Sequence, residues 1–177
     1  VQLDAKDAIL GVHNGTLLNH EVIFEKLKRF NSPLDRQGSV DSESIFHLLY
    51  HATEHGEKPI DGGALNYLGE RLDGAYAVIT ANTRFPHQVA AFRFERPLEM
   101  IMVRPLNIVI LTSEKKFAEA AFERYNFHRE FVELGLPELD AFDRFLTERD
   151  YRIFDNTKPF PTETKMIWND FDKISVG

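Results

Sequence analysis

Two short segments of this 177-residue chain hold residue types that can do chemistry. The first is His13-Asn14-Gly15-Thr16-Leu17-Leu18-Asn19-His20. An Asn side-chain amide beside a glycine N–H offers two donors that can aim at one point, which is what an oxyanion needs. Glycine also lets a substrate approach, because it has no Cβ. The same Asn-Gly pair is a common turn signal, and taken alone it reads as the turn that ends a strand over Ala8–His13. The second segment is Asp41-Ser42-Glu43. A carboxylate there could hold the amino group of a small substrate. An Asp ahead of a helix more often satisfies backbone N–H groups. A third set, His47, His51 and His55, has helical i, i+4 spacing and could share a divalent metal. It lies opposite the apolar face of Ile45, Leu48, Leu49 and Ala52, so a solvated face is expected. The open carboxylates Glu43 and Glu54 complete no clear ligand set. No GxSxG, HExxH, Walker or GxGxxG pattern is present.

These residues must be positioned by the elements around them. Ala8–His13 reads as a buried strand. Asn19 looks like an N-cap for a helix carrying Ile23, Leu27 and Phe30, with Lys26, Lys28 and Arg29 late in it, where cations suit the dipole. Asn31–Ser39 holds Pro33 and Gly38 and reads as a loop. The second helix follows Asp41 and Ser42 and stops near Gly56. A third, with Leu65, Leu68 and Leu72, is expected to close at Gly74. Four short apolar runs then suggest adjacent antiparallel strands: Ala75–Ala81, Val89–Phe94, Met100–Val103 and Ile108–Leu111. Turn-like stretches with Pro86, Pro97 and Pro105 separate them. Lys115–Tyr125 reads as a helix burying Phe117, Ala118, Ala121 and Phe122. Pro137 can open another with Leu139, Phe142, Phe145 and Leu146. Tyr151–Gly177, with Pro159 and Pro161, reads as a partly ordered tail. This pattern argues for an α+β fold with helices layered on antiparallel sheet.

Composition narrows the chemistry further. Lys and Arg total 21 and Asp and Glu 28, a net charge of −7 with no basic block, which disfavours nucleic acid and anionic membrane surfaces. No apolar run approaches the ~20 residues of a membrane helix, and Val1–Asp7 has no signal-peptide pattern. A cytoplasmic protein is the expectation. The chain has no Cys, which excludes disulfides, thiolate metal sites and a cysteine nucleophile within these residues. It opens at Val1 almost directly onto an apparent core strand.

Taken in order, the motifs resemble those of class II glutamine amidotransferases, N-terminal-nucleophile domains that release ammonia from glutamine. Val12-His13-Asn14-Gly15-Thr16-Leu17-Leu18-Asn19-His20-Glu21 is similar to the family's HNGxIxNH segment, and Val40-Asp41-Ser42-Glu43 to its SDTE motif. Leu72-Asp73-Gly74-Ala75-Tyr76-Ala77-Val78 resembles its LxGxFA strand, Arg96-Pro97-Leu98 its (R/K)PL turn, and Ser113-Glu114 its ASE element. The resemblance implies a mostly antiparallel αββα sandwich flanked by helices. It covers residues 1–122 as the C-terminal part of such a domain and leaves 123–177 as a helical extension and tail of unknown role.

The resemblance also implies roles. The Asn14 amide and the Gly15 N–H would form the oxyanion hole, Asp41 would bind the α-ammonium of glutamine, and His13 would join it in binding substrate. The family's nucleophile is an N-terminal cysteine whose own amine is the base. No residue of this chain can be assigned to either role. The chain is therefore expected to be part of a longer protein whose N-terminal segment carries the nucleophile. That protein would hydrolyse glutamine to glutamate and ammonia through a glutamyl thioester, without metal or organic cofactor, alongside an ammonia-accepting synthase domain or partner. The rival reading is a non-catalytic glutamine-binding or assembly module. A third is a structural domain in which Asn14-Gly15 is a turn and Asp41 a cap.

Overall fold

The structure, a computed structural model, describes residues 1, 7–29, 36, 38–103, 108–125 and 151–157. The helix expected after Pro137, the turn at Pro105, Phe30, Pro33, Pro159 and Pro161 lie outside the described residues. The chain divides into two compact units, residues 1–96 with 148–177, and residues 97–147.

The first unit is a four-stranded antiparallel sheet in the order β1-β2-β3-β6. Its strands are β1 (Ile9–Leu17), β2 (Gly74–Asn82), β3 (Gln88–Phe94) and β6 (Tyr151–Asp155). Three helices accompany it: α1 (His20–Arg29), α2 (Ser42–Ala52) and α3 (Gly62–Gly69). Side chains alternate across a strand, so His13, Val78, Phe92 and Tyr151 form one row and Val12, Ile79, Ala91 and Arg152 another on the opposite face. The His13 row faces the helices. Val78, Phe92, Tyr151, Ile9 and Leu17 share a core with Ile23 and Leu27 of α1, Ile45, Leu48 and Leu49 of α2, and Leu65 and Leu68 of α3. β1 and β6 are the two edges of this sheet. The second unit pairs β4 (Glu99–Val103) with β5 (Ile108–Thr112) and adds α4 (Lys115–Arg124). Ile101, Ala118 and Phe122 form its buried cluster.

Several local expectations change once partners are present. Asn14-Gly15 makes no turn. β1 runs through it, with Asn14 opposite Ala77 and Gly15 opposite Tyr76. The Asn19 side chain does not cap α1; its amide donates to Arg71 O at 2.7 Å and its carbonyl accepts from Asp73 N–H at 3.1 Å. α3 ends at Gly69, and Gly74 opens β2 instead of closing a helix. The histidine stripe is a solvated face only in part: His47 is buried, His51 half-buried and His55 exposed. Glu43 is no open carboxylate either; its side chain is 13% exposed and lies 3.4 Å from His47 Nε2. In α4, Ala118 and Phe122 are buried but Phe117 and Ala121 are exposed. Tyr151–Asp155, read as part of a tail, is a strand pairing with β3. Its buried Tyr151 and Ile153 belong to the main core.

Candidate functional site

The site begins with what the outer edge of β1 leaves free. Val1 and Ile9 exchange backbone hydrogen bonds at 2.8 Å on that edge. Antiparallel bonding alternates along a strand, so the odd residues of β1 turn N–H and C=O outward and the even ones bond to β2. Both ends of the strand obey this. Leu18 N–H donates to Asp73 O, on the β2 side, whereas Leu17 N–H donates outward to Asp41 Oδ2 at 2.7 Å. The same alternation directs the Gly15 N–H to the outer edge.

Gly15 has a specific reason to be glycine. Its φ is +147°, and a Cβ there would strike the carbonyl oxygen of Ala75 and the Cα of Tyr76. Close strand approach, not a turn, demands the residue.

Asp41 stands immediately before α2 but makes no side-chain cap. The helix start is tied instead by Ser44, whose N–H and hydroxyl both bond Asp41 O. Asp61 shows the ordinary alternative, accepting Ala64 N–H at 2.9 Å at the start of α3. The Asp41 carboxylate is thus free to bridge from α2 to the end of β1.

A second bridge lies beside it. His13 Nδ1 and Ser42 Oγ are 2.8 Å apart, and the Ser42 hydroxyl reaches Asp41 Oδ1 in a long 3.5 Å contact. Burial pushes the His13 pKa below its ordinary value, and the Asp41 charge opposes that shift only in part. His13 is therefore neutral at pH 7. Its Nε2 is buried without a hydrogen-bond partner. The structure brings His13, Asp41, Ser42 and Leu17 together. Asn14 projects to the opposite face of β1 from His13, is exposed, and takes no part in these bonds. Ser42 received no role of its own in the sequence reading. Its signal was its place between an Asp and a helix.

The stripe His47, His51 and His55 is held by other contacts. His47 sits against Glu43 and the edge of the Phe24 ring, with 5.4 Å between ring centroids. His51 and His55 pack against Tyr50 and each other. Among the described residues no three His, Asp or Glu side chains converge to hold a metal ion.

Known proteins resemble this chain in sequence and in fold. No family model matches the chain. A glutamine–fructose-6-phosphate aminotransferase (isomerizing) of Idiomarina loihiensis is 32% identical over 95 residues, 53% of this chain and 15% of the relative. The Pseudomonas aeruginosa enzyme of the same name is 33% identical over 95 residues, with the same coverage. Over about half its length, the chain is homologous to these glutamine–fructose-6-phosphate aminotransferases. Among solved structures, a glutamine phosphoribosylpyrophosphate amidotransferase from B. subtilis matches with a TM-score of 0.59 and 20% identity. An allosteric regulatory enzyme of purine biosynthesis matches with a TM-score of 0.59 and 19% identity. Each covers 90% of this chain and 30% of the other. These two show the fold, that of the N-terminal-nucleophile amidotransferases, α+β with antiparallel sheets. The chain spans only about a seventh of the curated relatives' length, 15% in both cases.

Proposed function

We propose that this chain supplies the glutamine-binding and oxyanion-stabilising part of a domain that hydrolyses the side-chain amide of glutamine to glutamate and ammonia. The observation that carries this reading is Asp41. Its carboxylate is excused from capping and held on the outward Leu17 N–H, two residues from the outward Gly15 N–H. A fixed negative charge beside an outward donor suits a substrate with an ammonium at one end and a reacting carbonyl at the other. Asp41 binds the α-ammonium, with His13 beside it. Gly15 N–H and the Asn14 amide meet the oxyanion of the tetrahedral intermediate.

The attacking thiolate comes from outside these 177 residues, which contain no Cys. It forms a glutamyl thioester as ammonia leaves, and water then releases glutamate. No metal or organic cofactor enters these steps. The ammonia passes to an acceptor on a synthase domain or partner, as the names of the aminotransferase relatives suggest.

Glutamine titrated into the protein with its native upstream residues retained tests the assignment. Asp41→Asn keeps the size and an acceptor for Leu17 but removes the charge. A charge-assisted hydrogen bond is worth about 1.5–3 kcal/mol, so affinity should fall roughly ten- to a hundredfold. The melting temperature should barely move. Unchanged affinity would remove Asp41 from the site.

A further inference from the structure

We infer that Ser42 is a positioning residue that locks His13 in the tautomer protonated at Nδ1 and so completes a relay holding the Asp41 carboxylate in place. Donors and acceptors decide between the two tautomers. A serine hydroxyl has one hydrogen, and a neutral imidazole one N–H. Two arrangements are compatible with the 2.8 Å separation of His13 Nδ1 and Ser42 Oγ.

In the first, Ser42 donates to Nδ1. The imidazole proton then sits on Nε2, a buried atom with no partner. An orphaned buried N–H is among the rarest and costliest defects in a folded protein. Asp41 Oδ1 would also lose the Ser42 donor. In the second, His13 Nδ1–H donates to Ser42 Oγ, and the Ser42 O–H points on to Asp41 Oδ1 at 3.5 Å. The orphan is now only a lone pair. Each dipole in the chain points its positive end toward the carboxylate, and such chains reinforce one another. The second arrangement is favoured on both counts.

The consequence reaches the site through geometry. One carboxylate oxygen takes Leu17 N–H and the other faces Ser42, so Asp41 is held from β1 at two points, Leu17 directly and His13 through Ser42. These points lie on either side of Gly15. The relay therefore sets the spacing between the carboxylate and the outward Gly15 N–H. Its effect on glutamine rests on the proposed role of Asp41; the tautomer does not.

The test uses the protein with its upstream residues retained and ¹⁵N-labelled histidine. At pH 7.5 the nitrogen shifts of His13 should show the proton on Nδ1, the minor form in free histidine. Ser42→Ala should move it to Nε2 and shift the Leu17 amide resonance, while Ser42→Thr should keep both as in the wild type. Glutamine affinity should fall about three- to tenfold in Ser42→Ala, the loss of one ordinary hydrogen bond, and return in Ser42→Thr. A wild-type proton on Nε2 overturns the inference before any variant is made. Full affinity in Ser42→Ala, with a loss in Asp41→Asn, overturns the positioning role alone. Full affinity in both variants overturns the glutamine reading and leaves the tautomer standing on its own spectrum.

Discussion

Asn14 and Gly15 are neighbours with opposite tolerance to change. Gly15→Ala puts a methyl into the Ala75 carbonyl at a φ of +147°. Overpacking together with backbone strain should cost about 2–4 kcal/mol in urea denaturation. Asn14 is exposed and bonded to nothing in the cluster, so Asn14→Ala should leave stability within about 0.5 kcal/mol. If Asn14 is an oxyanion donor, the same change lowers kcat for ammonia release by roughly a hundred- to a thousandfold. A stable but inactive Asn14→Ala protein would assign the residue to chemistry. Retained activity would exclude it.

At the scale of an element, α2 joins the site to the core. Asp41 and Ser42 lie at its start, and His47 is buried one turn further on. Burial holds the His47 pKa below the ordinary 6.5, against the opposing pull of Glu43. Burial lowers His13 and His51 as well. The unfolded chain therefore binds more protons than the folded one just below pH 6.5. The stability these neutral histidines permit is complete above about pH 6.5 and is lost as pH falls toward their folded pKa values. Urea midpoints should be lower at pH 5.5 than at pH 7.5, and His47→Gln should flatten the difference. An unchanged slope in that variant would show that His47 is protonated freely in the folded protein.

For the molecule as a whole, two outcomes follow from what the chain contains. Purified 177-residue protein should release no ammonia from glutamine, because it has no Cys nucleophile. Turnover that survives repurification would overturn the thioester route. Deleting residues 148–177 should abolish cooperative unfolding of the first unit. It removes β6, whose Tyr151 and Ile153 are part of the core, and it exposes β3 as a bare edge. Gly62 reinforces that dependence. A Cβ there would collide with the Tyr151 hydroxyl, so α3 and β6 are fitted to each other.

The amino-acid sequence by itself determined what is local. Periodicity located α1, α4 and the strands β2 to β5 to within a residue or two, and the start of α2, which ends at Ala52 and not near Gly56. Leu27, Ile45 and Leu68 are buried because their neighbours in sequence set the repeat. The order of short motifs pointed to the amidotransferase family, since each motif is a run of a few residues. Tertiary structure alone decided the features that depend on a distant partner. Asn14-Gly15 continues a strand because β2 pairs with it from about 60 residues away. Asp41 leaves its helix because Leu17, 24 residues earlier, offers a better-placed donor. His47 is buried because Phe24 and Glu43 close over a face that spacing alone assigned to solvent. β6 is a strand because β3 presents an edge to it. In each case the local residues permit two outcomes of similar free energy, and a contact from far along the chain selects one.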